Sequence, residues 1–136
     1  LFETSKPQEC ELRMVKPGGT IVICTPAPEG VSPVHTDLLQ YTGWPSSEIK
    51  AAYRSGRLKN GVAAALAVAW ALVREKASVI NYSPGIPPDH KTKLGHTHAP
   101  SVQWALDEAL RRQGSGARVS VLTHAPDLLP IPIINA

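Results

Sequence analysis

Three short β-branched runs, each separated from the next by a segment of helical character, predict an α/β fold, a three-layer α/β/α sandwich with a mostly parallel central sheet. The runs are Thr20–Thr25, Ser78–Tyr82 and Arg118–Thr123. Thr20-Ile21-Val22-Ile23-Cys24 is almost wholly apolar, the pattern of a strand covered on both faces. The intervening helices make parallel strands joined by right-handed crossovers the expected connection. Loops rich in proline and glycine succeed the first two runs, where open α/β sheets place their ligands.

Each element has a local reason. Pro7–Met14 is expected to be helical, because proline is tolerated in a first turn and biases the preceding Lys6 towards an extended backbone. Lys6 then stands at or beside the helix N-cap. Pro17-Gly18-Gly19 forces a tight turn into the first strand, and the loop Pro26-Ala27-Pro28-Glu29-Gly30 leaves it. A helix is expected from Pro33 to Tyr41, broken at Gly43-Trp44-Pro45. The next, capped by Ser46 or Ser47, runs to Arg54 and stops at Gly56. Asn60 or Gly61 opens a long alanine-rich helix to Lys76, with Leu66, Trp70 and Val73 on one face. After Ser78–Tyr82 comes the loop Ser83-Pro84-Gly85-Ile86-Pro87-Pro88, and a further short strand is allowed near Lys93–Thr97. Pro100 or Ser101 begins the last helix, with Trp104, Leu106, Ala109 and Leu110 inward and Arg111-Arg112 at the negative end of its dipole. Gly114-Ser115-Gly116 turns the chain into Arg118–Thr123, and Leu128–Ile134 is an apolar, proline-broken tail.

At 136 residues the chain suits one domain with its own core, spanning residues 1–136. It opens on Leu1 without an initiator methionine or a signal pattern, so a piece cut from a longer polypeptide is expected. The formal charge is +3, the basic residues are scattered, and aromatics are few, which gives nucleic-acid binding only weak support, and neither a nucleic-acid nor a membrane partner is expected. The longest apolar run, Val62–Val73, is mostly alanine and too short to span a bilayer. Cys10 and Cys24 make no disulfide framework. Cys24 is expected to be buried and inert in a reducing, cytoplasmic setting.

Chemistry is concentrated near the amino end. A lysine at a helix N-terminus adds to a half-positive dipole and free N–H groups, so Lys6 makes a place for a carboxylate or phosphate. Glu3 can orient Lys6 or share its proton. The plainer reading is a solvated lysine near a chain end. His96-Thr97-His98 would put two imidazoles on one side of a strand, a spacing that zinc or nickel can use. No H-E-x-x-H or C-x-x-C accompanies them, so surface histidines in a polar loop are the expectation. His35 follows the first loop, where it can face the cleft or simply open a helix, and His124 sits just beyond a predicted strand end. Pro28, Glu29, Gly30, Ser83 and Gly85 are expected to form the rim of a site. The sequence contains no G-x-G-x-x-G, Walker loop or G-x-S-x-G elbow, which disfavours an independent nucleotide fold and a serine hydrolase.

One ordered series of motifs is more distinctive than any of its members. It begins with Ser5-Lys6, Met14-Val15-Lys16-Pro17-Gly18-Gly19, Thr20-Ile21-Val22-Ile23-Cys24 and Pro28-Glu29-Gly30. It continues through the alanine-rich helix, Leu94-Gly95-His96, Ser101-Val102-Gln103-Trp104-Ala105-Leu106 and Arg118-Val119-Ser120-Val121-Leu122. Over nearly its whole length the chain resembles the C-terminal domain of the lactate racemase family. The resemblance implies a two-domain enzyme that racemises or epimerises a small 2-hydroxy acid by hydride transfer to a nickel-pincer nucleotide. It also implies that the absent N-terminal domain holds the cofactor, the nickel-ligating histidine and the acid/base histidines. Lys6 matches, by spacing, the lysine this domain contributes to the cleft. Glu3 stands where the family's racemase has a glutamine, so an anion replaces a neutral amide. The isolated chain is then expected to be inactive. Two other readings are a non-catalytic partner-binding or oligomerisation domain and a methyltransferase-like fragment without its cofactor loop.

Overall fold

The computed structural model describes residues 13–127. Its first feature is the turn that starts the sheet. The Lys16 carbonyl accepts a hydrogen bond from the Gly19 N–H at 2.9 Å, Pro17 is second in the turn, and Gly18 is third with φ +75°. Proline second and a positive φ third are the marks of a type II turn. The Gly18 N–H donates to the Lys76 carbonyl at 2.8 Å, and the Ser78 N–H to the Gly19 carbonyl at 3.0 Å. These bonds start two strands at one level.

β1 (Thr20–Cys24) pairs in parallel with β2 (Ser78–Tyr82), Thr20 opposite Ser78 and Cys24 opposite Tyr82. β3 (Thr97–His98) adds in parallel on the far side of β2 and gives the order β1-β2-β3. The fold is thus mixed helix and strand on a small parallel sheet. The third strand begins at the end of the segment where a further short one is allowed. Arg118–Thr123, expected to be a strand, has no ladder partner among the described residues. β-propensity is met there, but pairing depends on a neighbour that local sequence does not specify.

Helices fill the connections. Thr36–Gln40 is a short 3₁₀ turn rather than the longer helix expected from Pro33 to Tyr41. α1 is Ser46–Arg54 and α2 is Gly61–Lys76, whose N-cap Asn60 accepts the Ala63 N–H at 3.1 Å. The same Asn60 side chain donates to Asp37 at 3.2 Å and so fastens the 3₁₀ turn to α2. The Ser46 hydroxyl and N–H both donate to Glu75 of α2 rather than capping α1. α3 (Pro88–Lys93) forms in a stretch without helical signal in the sequence, with Pro88 in its first turn. α4 is Val102–Gln113, capped by Ser101, which accepts the Trp104 N–H at 3.1 Å.

Alternation along the strands sorts the core. Ile21, Ile23 and Val79 pack with Val73 and Ala77, while Val22 and Ile80 pack with Ala105 and Ala109 of α4. A larger cluster joins α1 and α2 around Leu38, Ile49, Ala63, Ala67 and Trp70. Arg74, partly buried on α2, donates to the Leu94 carbonyl at 3.2 Å and to the Trp44 carbonyl at 3.3 Å. Trp104 is exposed, not inward as expected, and Cys24 is exposed at the end of β1 rather than buried. No described helix is long and apolar enough to cross a membrane.

The loops after β1 and β2 interlock. The Thr25 N–H donates to the Tyr82 carbonyl at 3.1 Å and the Gly85 N–H to the Pro26 carbonyl at 3.0 Å. A Cβ placed at Gly85 would overlap the Ala27 carbonyl. Gly85→Ala is expected to lower the free energy of unfolding by about 1–3 kcal/mol. Gly43→Ala, with nothing within 4 Å of the added carbon, should leave the denaturation midpoint nearly unchanged.

Candidate functional site

The interlocked loops stand at the C-terminal ends of β1 and β2, the side on which parallel sheets carry their sites. Of the residues expected at the rim, Pro28 and Glu29 are exposed, while Gly30 and Gly85 are partly so. The Gly30 N–H donates to the Ala27 carbonyl at 3.0 Å and closes a turn, and Gly30 takes φ +74°. Ala27 has φ +39°, a left-handed value that a residue with a Cβ adopts at a cost. Its carbonyl is the group pressed against Gly85. Ser83 lies beneath the surface, fully buried. Lys6 and Glu3 lie outside the described residues.

Below the loops runs a chain of buried polar side chains. The Ser83 hydroxyl donates to Asn81 Oδ1 at 2.5 Å, and Asn81 Nδ2 faces His96 Nδ1 at 3.1 Å. Since the amide nitrogen can only donate, His96 Nδ1 accepts and the ring proton sits on Nε2. Burial, with the positive charge of Arg74 added, lowers the His96 pKa to about 4. An amide cannot take up the serine proton, so Ser83 has no general base in this chain of bonds. The arrangement orders the ends of β2 and β3 instead. His96, expected at the surface, is buried, its ring 6.4 Å from that of Trp70. The Trp70 indole N–H is the buried side-chain polar group without a partner among the described residues.

Lys91 of α3 is the residue that sequence reasoning missed. It is 2 % exposed, and its Nζ lies 3.1 Å from His98 Nδ1. Burial pushes its pKa below the ordinary lysine value. No described carboxylate comes within ion-pair distance of it. The two imidazoles of His96-Thr97-His98 therefore serve different partners, one Asn81 and the other Lys91. His35 is tied to the 3₁₀ turn and the start of α2: its backbone N–H donates to the Ser32 hydroxyl at 3.1 Å, and its Nδ1 lies 3.4 Å from Asn60 Nδ2. Among the described residues no three of His, Cys, Asp and Glu gather as a metal ligand set.

A scan of protein families finds no model that matches this chain, and no curated protein matches it.

The buried groups have consequences for stability. The folded His96 binds its proton more weakly than the unfolded chain does, so stability is complete above about pH 6.5 and falls as pH drops towards 4. The loss attributable to this group is about 3 kcal/mol, and His96→Gln should flatten that part of the stability profile measured by urea unfolding. Lys91→Met removes a buried amine with no counter-charge among the described residues, and is expected to raise the unfolding free energy by about 1 kcal/mol or more. A lowered melting midpoint for this variant would contradict that expectation.

Proposed function

We propose that this chain is the C-terminal domain of a lactate racemase-like enzyme, racemising or epimerising a small 2-hydroxy acid and supplying one wall of an interdomain active site. On this reading the parallel sheet and its helices belong to a three-layer α/β/α sandwich in a cytoplasmic enzyme, and the N-terminal domain closes the cleft. The observation that carries the reading is the interlock of Pro26–Gly30 with Ser83–Gly85. It makes a stiff ledge at the C-terminal ends of two parallel strands, in a chain whose segment before β1 contains Lys6.

Lys6 anchors the substrate carboxylate or the charge that develops on oxygen during reaction. Glu3 positions Lys6 and, as an anion, disfavours a second carboxylate nearby, which narrows the substrates accepted. The nickel-pincer nucleotide, when bound, supplies the hydride acceptor. On this reading the groups that hold it come mainly from the N-terminal domain. This chain's own part is charge and shape. A non-catalytic partner-binding domain is the competing reading, favoured by the exposure of Val119 and Val121.

Lys6→Ala in the full-length two-domain enzyme is expected to reduce turnover by about a hundredfold or more, with thermal unfolding unchanged. Near-normal turnover rejects the role given to Lys6. Metal and cofactor analysis of the same protein should find nickel with a pincer chromophore, and its absence from active enzyme rejects the family reading.

A further inference from the structure

The residues of β1 line a groove, and a second segment lining the same groove has the composition of a strand. The bonds from the Ser78 N–H to the Gly19 carbonyl and from the Thr25 N–H to the Tyr82 carbonyl set the phase of the β1–β2 ladder. In a parallel pair the N–H and C=O of one residue point to the same side, and successive residues alternate. Gly19, Ile21, Ile23 and Thr25 thus turn towards β2, and the backbone groups of Thr20, Val22 and Cys24 turn away from it. Those outward groups meet no backbone partner among the described residues.

The groove lined by β1 has a volume of about 550 Å³, and Leu106, Ala109 and Leu110 of α4 and Ala117–Thr123 line it as well. From Arg118 to Leu122 no backbone group has a backbone partner among the described residues either. Val119 is 56 % exposed and Val121 80 %, unusual for β-branched side chains at alternate positions. Gln113, the last residue of α4, donates to the Gly18 carbonyl and to the Thr20 hydroxyl, both at 3.0 Å. The chain therefore leaves α4 at the start of β1, and its next residues line the same groove as β1 as far as Thr123. A strand running on from that point lies parallel to β1.

We infer that Arg118–Leu122 closes across this groove onto β1 as a fourth, parallel strand, pairing with the outward backbone groups of Thr20, Val22 and Cys24. Closure pairs two rows of N–H and C=O groups that have no backbone partner among the described residues, and takes apolar side chains out of water. It also carries Thr123-His124 beside Cys24-Thr25, so His124 joins the rim formed by Pro26–Gly30. The fourth strand is independent of the racemase reading and needs no cofactor.

Residue-resolved amide exchange on the 136-residue chain tests it. Closure predicts that the Val22 and Cys24 amides exchange about a hundredfold more slowly than unprotected ones. Ile21 and Ile23, which face β2, report the integrity of the fold. Because N–H direction alternates along a strand, either Ser120→Pro or Val121→Pro removes a donor aimed at β1. At least one of them should restore fast exchange at Val22 and Cys24 while Ile21 and Ile23 stay protected. Fast exchange at Val22 and Cys24 in the unsubstituted chain, with Ile21 and Ile23 slow, overturns the inference. So does protection that survives both prolines, or that arises only as protein concentration is raised, which assigns the edge to a second copy. Slow exchange at these amides together with an absence of racemase activity would reject the functional reading and leave the fourth strand in place.

Discussion

The space where a side chain would begin at position 85 is taken by the carbonyl of Ala27, and much of the molecule is arranged around that contact. It brings the exit of β1 against the exit of β2, with the Gly85 N–H returned to Pro26. At the other end of the strands, the type II turn at Lys16–Gly19 and its bond to Lys76 fix where both begin. The five-residue ladder between them is pinned at each end, so its register does not depend on the ladder alone. The left-handed backbone at Ala27 is the local strain that this arrangement sustains.

Behind the loops the molecule uses polar groups in a region where apolar ones would pack without penalty. Ser83, Asn81 and His96 satisfy one another in sequence, and the neutral imidazole is the form that the network requires. Lys91 is less well provided for, since a histidine nitrogen cannot neutralise an ammonium. The result is a sheet end whose order is specified by hydrogen bonds and whose stability is reduced by charge, a balance more common near functional surfaces than in structural cores.

The parts of the fold that are legible in the sequence are those decided within a few residues. Pro17-Gly18-Gly19, the Asn60 and Ser101 caps, and the boundaries of β1, α2 and β2 all come from turn, cap and propensity chemistry. What escapes is set by distant partners. Arg118–Thr123 reads as a strand from composition, yet a strand exists only where another edge receives it. Cys24 reads as buried from its apolar neighbours, but it ends the strand and is left exposed. Lys91 is invisible because lysine is ordinarily exposed, and only the packing of α3 against β3 puts its amine out of water. The contact between the two loops is legible from their places after β1 and β2. The burial of Ser83 beneath them is not, because it depends on Asn81, two residues back on the strand. Lys6 and Glu3, drawn from the resemblance and from helix-end electrostatics, fall outside the described residues.

Arg74 joins three parts of the chain through one side chain. Its two terminal nitrogens reach separate carbonyls, one at the break before α1 and one after α3, and its methylenes fill the hollow that Gly95 leaves open. The position is a strut before it is a charge. Lysine there would preserve the sign and lose the span, since its donors radiate from one nitrogen whereas the two carbonyls are met by two separate nitrogens of the guanidinium. The side chain at this site is thus held to a shape, its length and its fork, as much as to a charge.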